Sequence, residues 1–408
     1  MALRSLALTA AILSLAIPYP LGAQEVSGNG VPEPVSRPFG PAVDWKLTAE
    51  TSQRFTADTN RSLNAESDGN VYGSTTLLGL KLDAETERTF ITLRGGLVAA
   101  VFGGPGDTSE LDRLDPQFEA GLRYDGKDYR FNTDLDIDVE PTSFTQLEDT
   151  GILEDETTQI TVTYAASYSK TLNARNQAFV NGFARAIRFA EDVDGLNETT
   201  TGGFDAGWSH QLSATTRVTG DTGFRYFTSD NAAETVSQVV DFSIGVDHQR
   251  TRRHTFEIAG GASFIRQETN NAFGGRSTEY FTGFNGGASF DYEIPRFRLG
   301  LNLRQRVDPS SQGVLRSFTR LSGSIGYRLN SRLRLSGALG VSRRTELGST
   351  DGDQRDFVTI GPRLSYEITD DVDLGLNYQF RLSNETDEDI ATGHRVFLTL
   401  SKNFDILQ

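Results

Sequence analysis

The 408-residue sequence predicts an all-β chain closed into an antiparallel transmembrane β-barrel of about 18 strands. Three observations lead there. From Trp45 to Phe404 the segments alternate apolar and polar residues with period two. The breaks between them are alternately short and long. After residue 24 no apolar run is long enough to cross a bilayer as a helix.

Taken in chain order, the first element is MALRSLALTAAILSLAIPYPLGAQ, with a positive charge at Arg4, an apolar stretch from Leu6 to Ile17, helix-breaking Pro18 and Pro20, and small Ala23. Residues 1–23 therefore read as a secretory signal peptide cleaved before Gln24. No Cys follows, so no lipid anchor is expected there. Residues 24–43 carry Pro32, Pro34, Pro38 and Pro41 among several glycines and read as an extended periplasmic linker, with a partial plug of the pore as the alternative.

Residues 44–408 form the barrel region. Its short breaks are Asp83–Arg88, Asp125–Asp128, Leu172–Asn176, Leu212–Thr216, Arg250–Arg253, Glu293–Arg296, Leu329–Ser331 and Thr369–Asp371. Its long breaks fall near 57–70, 103–113, 146–156, 192–201, 230–235, 269–279, 308–314, 346–355 and 384–391. Eight short turns and nine long loops define eighteen segments of roughly 10–14 residues, with both termini on the short-turn side. That is the arrangement of outer-membrane barrels, with short periplasmic turns and longer external loops. A β-propeller shares the spacing of about forty residues, but it packs four short strands into that length where this sequence has two long ones.

Parity assigns the faces. In FRLGLNLRQRVD, Phe297, Leu299, Leu301 and Leu303 oppose Arg298, Asn302, Arg304 and Arg306. In a closed barrel lipid covers the apolar side and water fills the inside, and eighteen strands leave an interior too wide for side chains to fill. Nine arginines are thus expected to line the lumen as a basic wall: Arg298, Arg304, Arg306, Arg316, Arg320, Arg328, Arg332, Arg334 and Arg344. An acidic wall of Glu119, Asp134, Asp136, Asp138 and Glu140 is expected across the barrel from it. Opposed walls of this kind either set up a field that orients passing solutes or simply solvate the channel and pair with neighbours.

Composition limits the remaining possibilities. Lys+Arg 39 against Asp+Glu 55 gives a net charge of -16, which disfavours a nucleic-acid partner. Cys 0 removes disulfides, thiolate metal sites and thiol nucleophiles. The four histidines, His210, His248, His254 and His394, have no Ser or Asp partnership legible in the sequence, so no catalytic residues, metal or cofactor are expected and the histidines read as membrane-interface residues. The acidic clusters Glu148–Asp149, Glu154–Glu156 and Asp351–Asp356 lack the ligand spacing of a dedicated calcium loop and read as solvated loops able to bridge lipopolysaccharide through divalent ions.

The closing patterns YRLNSRLRLSG (327–337) and HQLSATTRVTGDTGFRY (210–226), with the ending RVFLTLSKNFDILQ (395–408), resemble the beta-barrel porin type-2 family of alphaproteobacterial outer-membrane barrels. The resemblance implies a channel in contact with outer-membrane lipid and lipopolysaccharide, inserted by the barrel-assembly machinery and passing small polar or ionic solutes, with some members tied to exopolysaccharide export. Such barrels usually end on an aromatic residue; here Asp405–Gln408 follow Phe404, which puts the register of the last strand in question. No external loop matches the constriction loop of trimeric general porins. A structural or adhesive barrel is disfavoured by short, acidic loops.

Overall fold

The computed structural model describes residues 43–60, 63, 70–104, 112–142, 157–191, 196–230, 234–251, 253–270, 275–309, 315–347, 354–385 and 389–407. The expected signal peptide, the 24–43 stretch except Val43, and the clusters Glu148–Asp149 and Glu154–Glu156 lie outside them, as does the first half of Asp351–Asp356.

Eighteen strands follow one another: β1 (Asp44–Asp58), β2 (Val71–Glu85), β3 (Thr89–Gly103), β4 (Arg113–Asp125), β5 (Tyr129–Pro141), β6 (Thr158–Asn173), β7 (Asn176–Phe189), β8 (Thr199–Ser213), β9 (Thr216–Ser229), β10 (Val236–Thr251), β11 (His254–Asn270), β12 (Arg276–Ile294), β13 (Phe297–Pro309), β14 (Leu315–Arg328), β15 (Leu333–Glu346), β16 (Gln354–Thr369), β17 (Val372–Glu385) and β18 (Ala391–Leu407). Each pairs antiparallel with its chain neighbours, and β1 pairs with β18, so the sheet closes and has no free edge around the ring. Phe404 lies opposite Ala49 inside this closing pair. The strands run from 13 to 19 residues, longer than the 10–14 expected, because pairing continues past the apolar belt toward the long loops.

Local chemistry sets the short turns. The Asn173 side-chain oxygen accepts from the backbone N–H groups of Arg175 (3.0 Å) and Asn176 (3.1 Å). Asn330 does the same for Arg332 (2.9 Å) and Leu333 (2.8 Å), and the Thr86 hydroxyl accepts from Thr89 N–H at 2.9 Å. Short polar side chains that bond their own backbone two or three residues on reverse the chain tightly.

The register carries one apolar face around the ring. Leu301 pairs with Gly323, Leu303 with Leu321, Leu321 with Val341 and Leu335 with Leu364. The large apolar side chains of this parity stand exposed, with Leu301 at 44%, Leu335 at 46% and Ile244 at 69%. Such a surface is stable against hydrocarbon and costly in water. Aromatic rings mark its borders: Tyr124 stacks on Tyr129, and Tyr168 tilts against Tyr129, near the short turns, with centroids 5.8 and 5.9 Å apart. His254 lies 4.8 Å from Tyr292 there, and toward the long loops the Tyr378 hydroxyl meets His394 Nδ1 at 2.7 Å. Half-polar rings suit an interface between lipid and water. A closed barrel with an apolar outer belt, two aromatic borders and a polar inner face is an outer-membrane β-barrel.

Candidate functional site: the lumen

The polar parity faces inward on every strand. On the basic side, Arg304 stands directly opposite Arg320, Arg328 opposite Arg334, and Arg344 opposite Arg355. Arg298 shares that parity, opposite Gly326; Arg306 and Arg316 share it too, opposite Phe318 and Asp308, but on the ends of β13 and β14 beyond the last β12–β13 pair. Arg332 departs in another way. It lies in the β14–β15 turn, at the short-turn rim and not on the wall, because β15 begins only at Leu333.

On the acidic side, Glu119 stands opposite Asp136, Gly121 opposite Asp134, Gln117 opposite Asp138, and Glu140 opposite Gln159. β5 and β14 are nine strands apart in a ring of eighteen, so the two groups occupy opposite walls. Arg94, paired in register with Glu119, bonds Glu50 of β1 at 2.5 Å, bringing a cation and a further carboxylate to the acidic group.

Both walls extend beyond the residues named from the sequence. Arg363 and Arg381 continue the basic side on β16 and β17, Arg395 on β18, and Arg54 on β1. The Arg54 and Arg395 guanidinium carbons lie 5.5 and 5.7 Å from the ring centre of inward-facing Phe397. Asp205, Asp221, Asp241 and Glu257 continue the acidic side on β8 to β11. The alternation rule that found the first set applies equally to these strands, so the signal was present in the sequence.

Two places narrow the long-loop end, and the sequence announced neither. β12 and β13 pair only as far as Gly286 and Gln305, although β12 continues to Arg276 and β13 to Pro309. Beyond Gln305, β13 leaves the wall and crosses the inner face of β12, carrying the start of β14 with it. Val307 and Leu315, whose parity faces lipid lower down, are 1% and 2% exposed and pack against inward-facing Val239 and Ile265, with Phe281 and Leu347 alongside. Arg225 of β9 donates through Nη1 to the Val307 carbonyl at 3.0 Å. Gly283 admits this approach: a Cβ there would stand 2.7 Å from Val307 Cγ2.

At the second place, the Asp58 carboxylate, 3% exposed, accepts from Arg381 Nη2 at 2.6 Å and from Arg395 Nε at 2.5 Å. Arg381 also donates to the Asn60 carbonyl at 2.7 Å. Leu63 packs on Ala391 beside Phe357, so the chain leaving β1 turns inward over this ion triad.

Between the walls, below the displaced end of β13, lies a cavity of about 770 Å³. Carboxylates from β8 to β11, phenylalanines from β7 and β9, and Arg304 and Arg306 from β13 line it. Among the described residues no group of three or more His, Cys, Asp or Glu is placed to hold a metal.

Fold and lumen together define a class, the water-filled transmembrane β-barrel. No protein-family model and no curated protein matches the chain. Among solved structures it is similar to OpdQ of Pseudomonas aeruginosa, at 10% identity over 89% of this chain and 100% of that one, TM-score 0.46. It is similar also to OccAB4 of Acinetobacter baumannii, at 11% identity over 88% and 98%, TM-score 0.47, and to a BenF-like porin of Pseudomonas fluorescens Pf-5, at 10% identity over 88% and 99%, TM-score 0.46.

Proposed function

We propose that the protein is an outer-membrane channel through which ions and small polar solutes diffuse passively along a charged aqueous lumen. The observation that carries this reading is the set of like-charged pairs held directly opposite each other, Arg304 with Arg320, Arg328 with Arg334, and Arg344 with Arg355. Arg355 is also bonded to Glu385, and the Arg344 guanidinium carbon lies 5.2 Å from the Phe318 ring centre, so that pair is held by partners of its own. Guanidinium groups arrayed on a wetted wall attract and orient anionic groups. The wall of Glu119, Asp134, Asp136, Asp138 and Glu140 stands across from them and completes a transverse field. Solutes enter past the inward ends of β13 and β14, which act as the constriction.

The closing motifs support a place in the type-2 group of barrels, and the aromatic borders suit contact with lipopolysaccharide. Purified protein in a planar bilayer tests the channel directly. A conducting pore whose reversal potential in a salt gradient responds to charge changes on both walls is the expected result. A refolded barrel that never conducts refutes the proposal.

A further inference from the structure

From the middle of the membrane upward the barrel wall is interrupted. β12 and β13 pair only up to Gly286 and Gln305, and among the described residues no strand pairs with the β13 side of β12 between Arg276 and Asn285. The register gives the depth of that point. The row of paired residues through Gly286 runs one way through Gly260, Ile244 and Gly220 to Trp208 of β8, whose ring stacks on His210 near a short turn. It runs the other way through Gln305, Thr319 and Arg343 to Asp356 of β16, where the outward-facing Arg343 and Asp356 form an ion pair of 2.8 Å at the long-loop border. Tilted strands carry such a row from one face of the bilayer to the other, and β12 is midway between β8 and β16. Gly286 therefore sits near the midplane.

Above it the wall is a lap joint at the depth of the outer leaflet. β12 is the outer layer, and the ends of β13 and β14 are the inner one. Val307 of the inner layer meets Gly283 of the outer, with no backbone ladder between the two layers. An unladdered strand edge at this depth is what a closed barrel otherwise avoids.

The inner surface leading to the joint is apolar. Phe179, Phe183 and Phe227 line the cavity below, and Val239, Ile265 and Phe281 lie in the joint itself. Phe227 and Val239 are on adjacent strands, one inward step apart in register, so the two groups are continuous. The cavity reaches the place where the strands part, since Gly286, Gly287 and Gln305 also line it. On the outer side, Phe264 and Phe284 stand exposed beside the unladdered edge. An apolar track thus runs from lumen to lipid, whereas a wall that only conducts water and ions has no use for one.

We infer that the lap joint is a lateral passage between the lumen and the outer leaflet for a solute with a polar head and one long apolar chain. The chain follows the track between β12 and β13 while the head stays in the wetted cavity. Parting the two layers breaks side-chain packing and no strand pairing. The inference rests on the channel proposal for its water-filled lumen and adds a second exit to it.

Tryptophan fluorescence of the full barrel in phosphatidylcholine vesicles tests the passage. Trp45→Phe and Trp208→Phe remove the two native tryptophans, and Phe183→Trp sets one reporter on the cavity wall. Dibromostearate carried in the bilayer should quench that reporter. Gly283→Cys with Val307→Cys staples the joint, since a Cβ at Gly283 would stand 2.7 Å from Val307 Cγ2 and the chain has no other Cys. Oxidation of this pair should abolish the quenching and reduction should restore it. A companion protein that keeps only Trp208, on the lipid face, should be quenched equally in both states. Iodide, which enters from water, should reach the cavity reporter in both states and so verify a folded, open lumen. Ile265→Thr, a milder variant that needs no cross-link, puts a hydroxyl on the track and should weaken the quenching several-fold. Absence of quenching before stapling, or quenching that neither the staple nor Ile265→Thr reduces, overturns the inference. Conductance is recorded separately, so a barrel that admits the probe without conducting refutes the channel and leaves the passage standing.

Discussion

Releasing the upper end of β13 from the inner wall should widen the channel, and the structure sets the size of the perturbation. Val307 and Leu315 are almost fully buried against Val239 and Ile265, although the strand pairs that carry them lie outside the main wall. Truncating a buried Leu to Ala costs about 2–5 kcal/mol, and a Val side chain contributes at the lower end of about 1.5–3 kcal/mol. The Arg225 bond to the Val307 carbonyl adds about 1.5–3 kcal/mol as a hydrogen bond from a charged donor. Leu315→Ala with Val307→Ala therefore removes about 4 kcal/mol from docking, close to a thousandfold shift toward the undocked position. The ring of strand pairs below Gln305 is untouched, so the barrel should fold and insert as before. Single-channel recording should show larger unitary conductance and added current noise as the freed segment moves. Adding Arg225→Gln should increase both. Conductance and noise identical to the parent protein would refute the assignment of this segment as the constriction.

Four further outcomes follow from the same geometry. Asp58→Asn leaves Arg381 and Arg395 facing each other in a buried site, and breaking such a pair costs about 3–5 kcal/mol; the detergent-solubilised barrel should melt at a clearly lower temperature, and an unchanged melting curve would remove the triad as an anchor. Asp134→Lys with Asp136→Lys should move the reversal potential toward anion selectivity, and an unmoved potential would take the acidic wall out of the conduction path. Charge removal at Arg304 and Arg320 should move selectivity toward cations, again read in a salt gradient. Leu335→Arg, on the outer face, should destabilise the inserted barrel by about 2–4 kcal/mol in a lipid-vesicle unfolding titration, whereas a neutral result would place that residue away from lipid.

How far the sequence alone reached is clearest on β13. Alternation separates Leu301 and Leu303 from Asn302 and Arg304, and the register agrees with that division on each neighbouring strand. The rule is local: successive side chains of an extended chain point to opposite faces, and water on one side with lipid on the other selects which residues sit where. For that reason the strand number and the short turns were legible in the residues, and the same parity is what proposes the two charged walls. Arg54, Arg363, Arg381 and Arg395 were equally accessible to the same rule.

Val307 was not. Its parity assigns it to lipid, yet it is buried inside the lumen against Val239 and Ile265, far away in the chain. Parity decides a face only while a strand remains in the wall; once β13 departs from β12, the surroundings of each side chain depend on which distant surface receives it. The Asp58 triad has the same origin, joining β1 to β17 and β18 across the closing seam. Period-two alternation, a property of the extended backbone, fixes outside and inside residue by residue. The width of the passage is decided by long-range packing at the loop end, where shape complementarity between remote segments leaves no periodic trace.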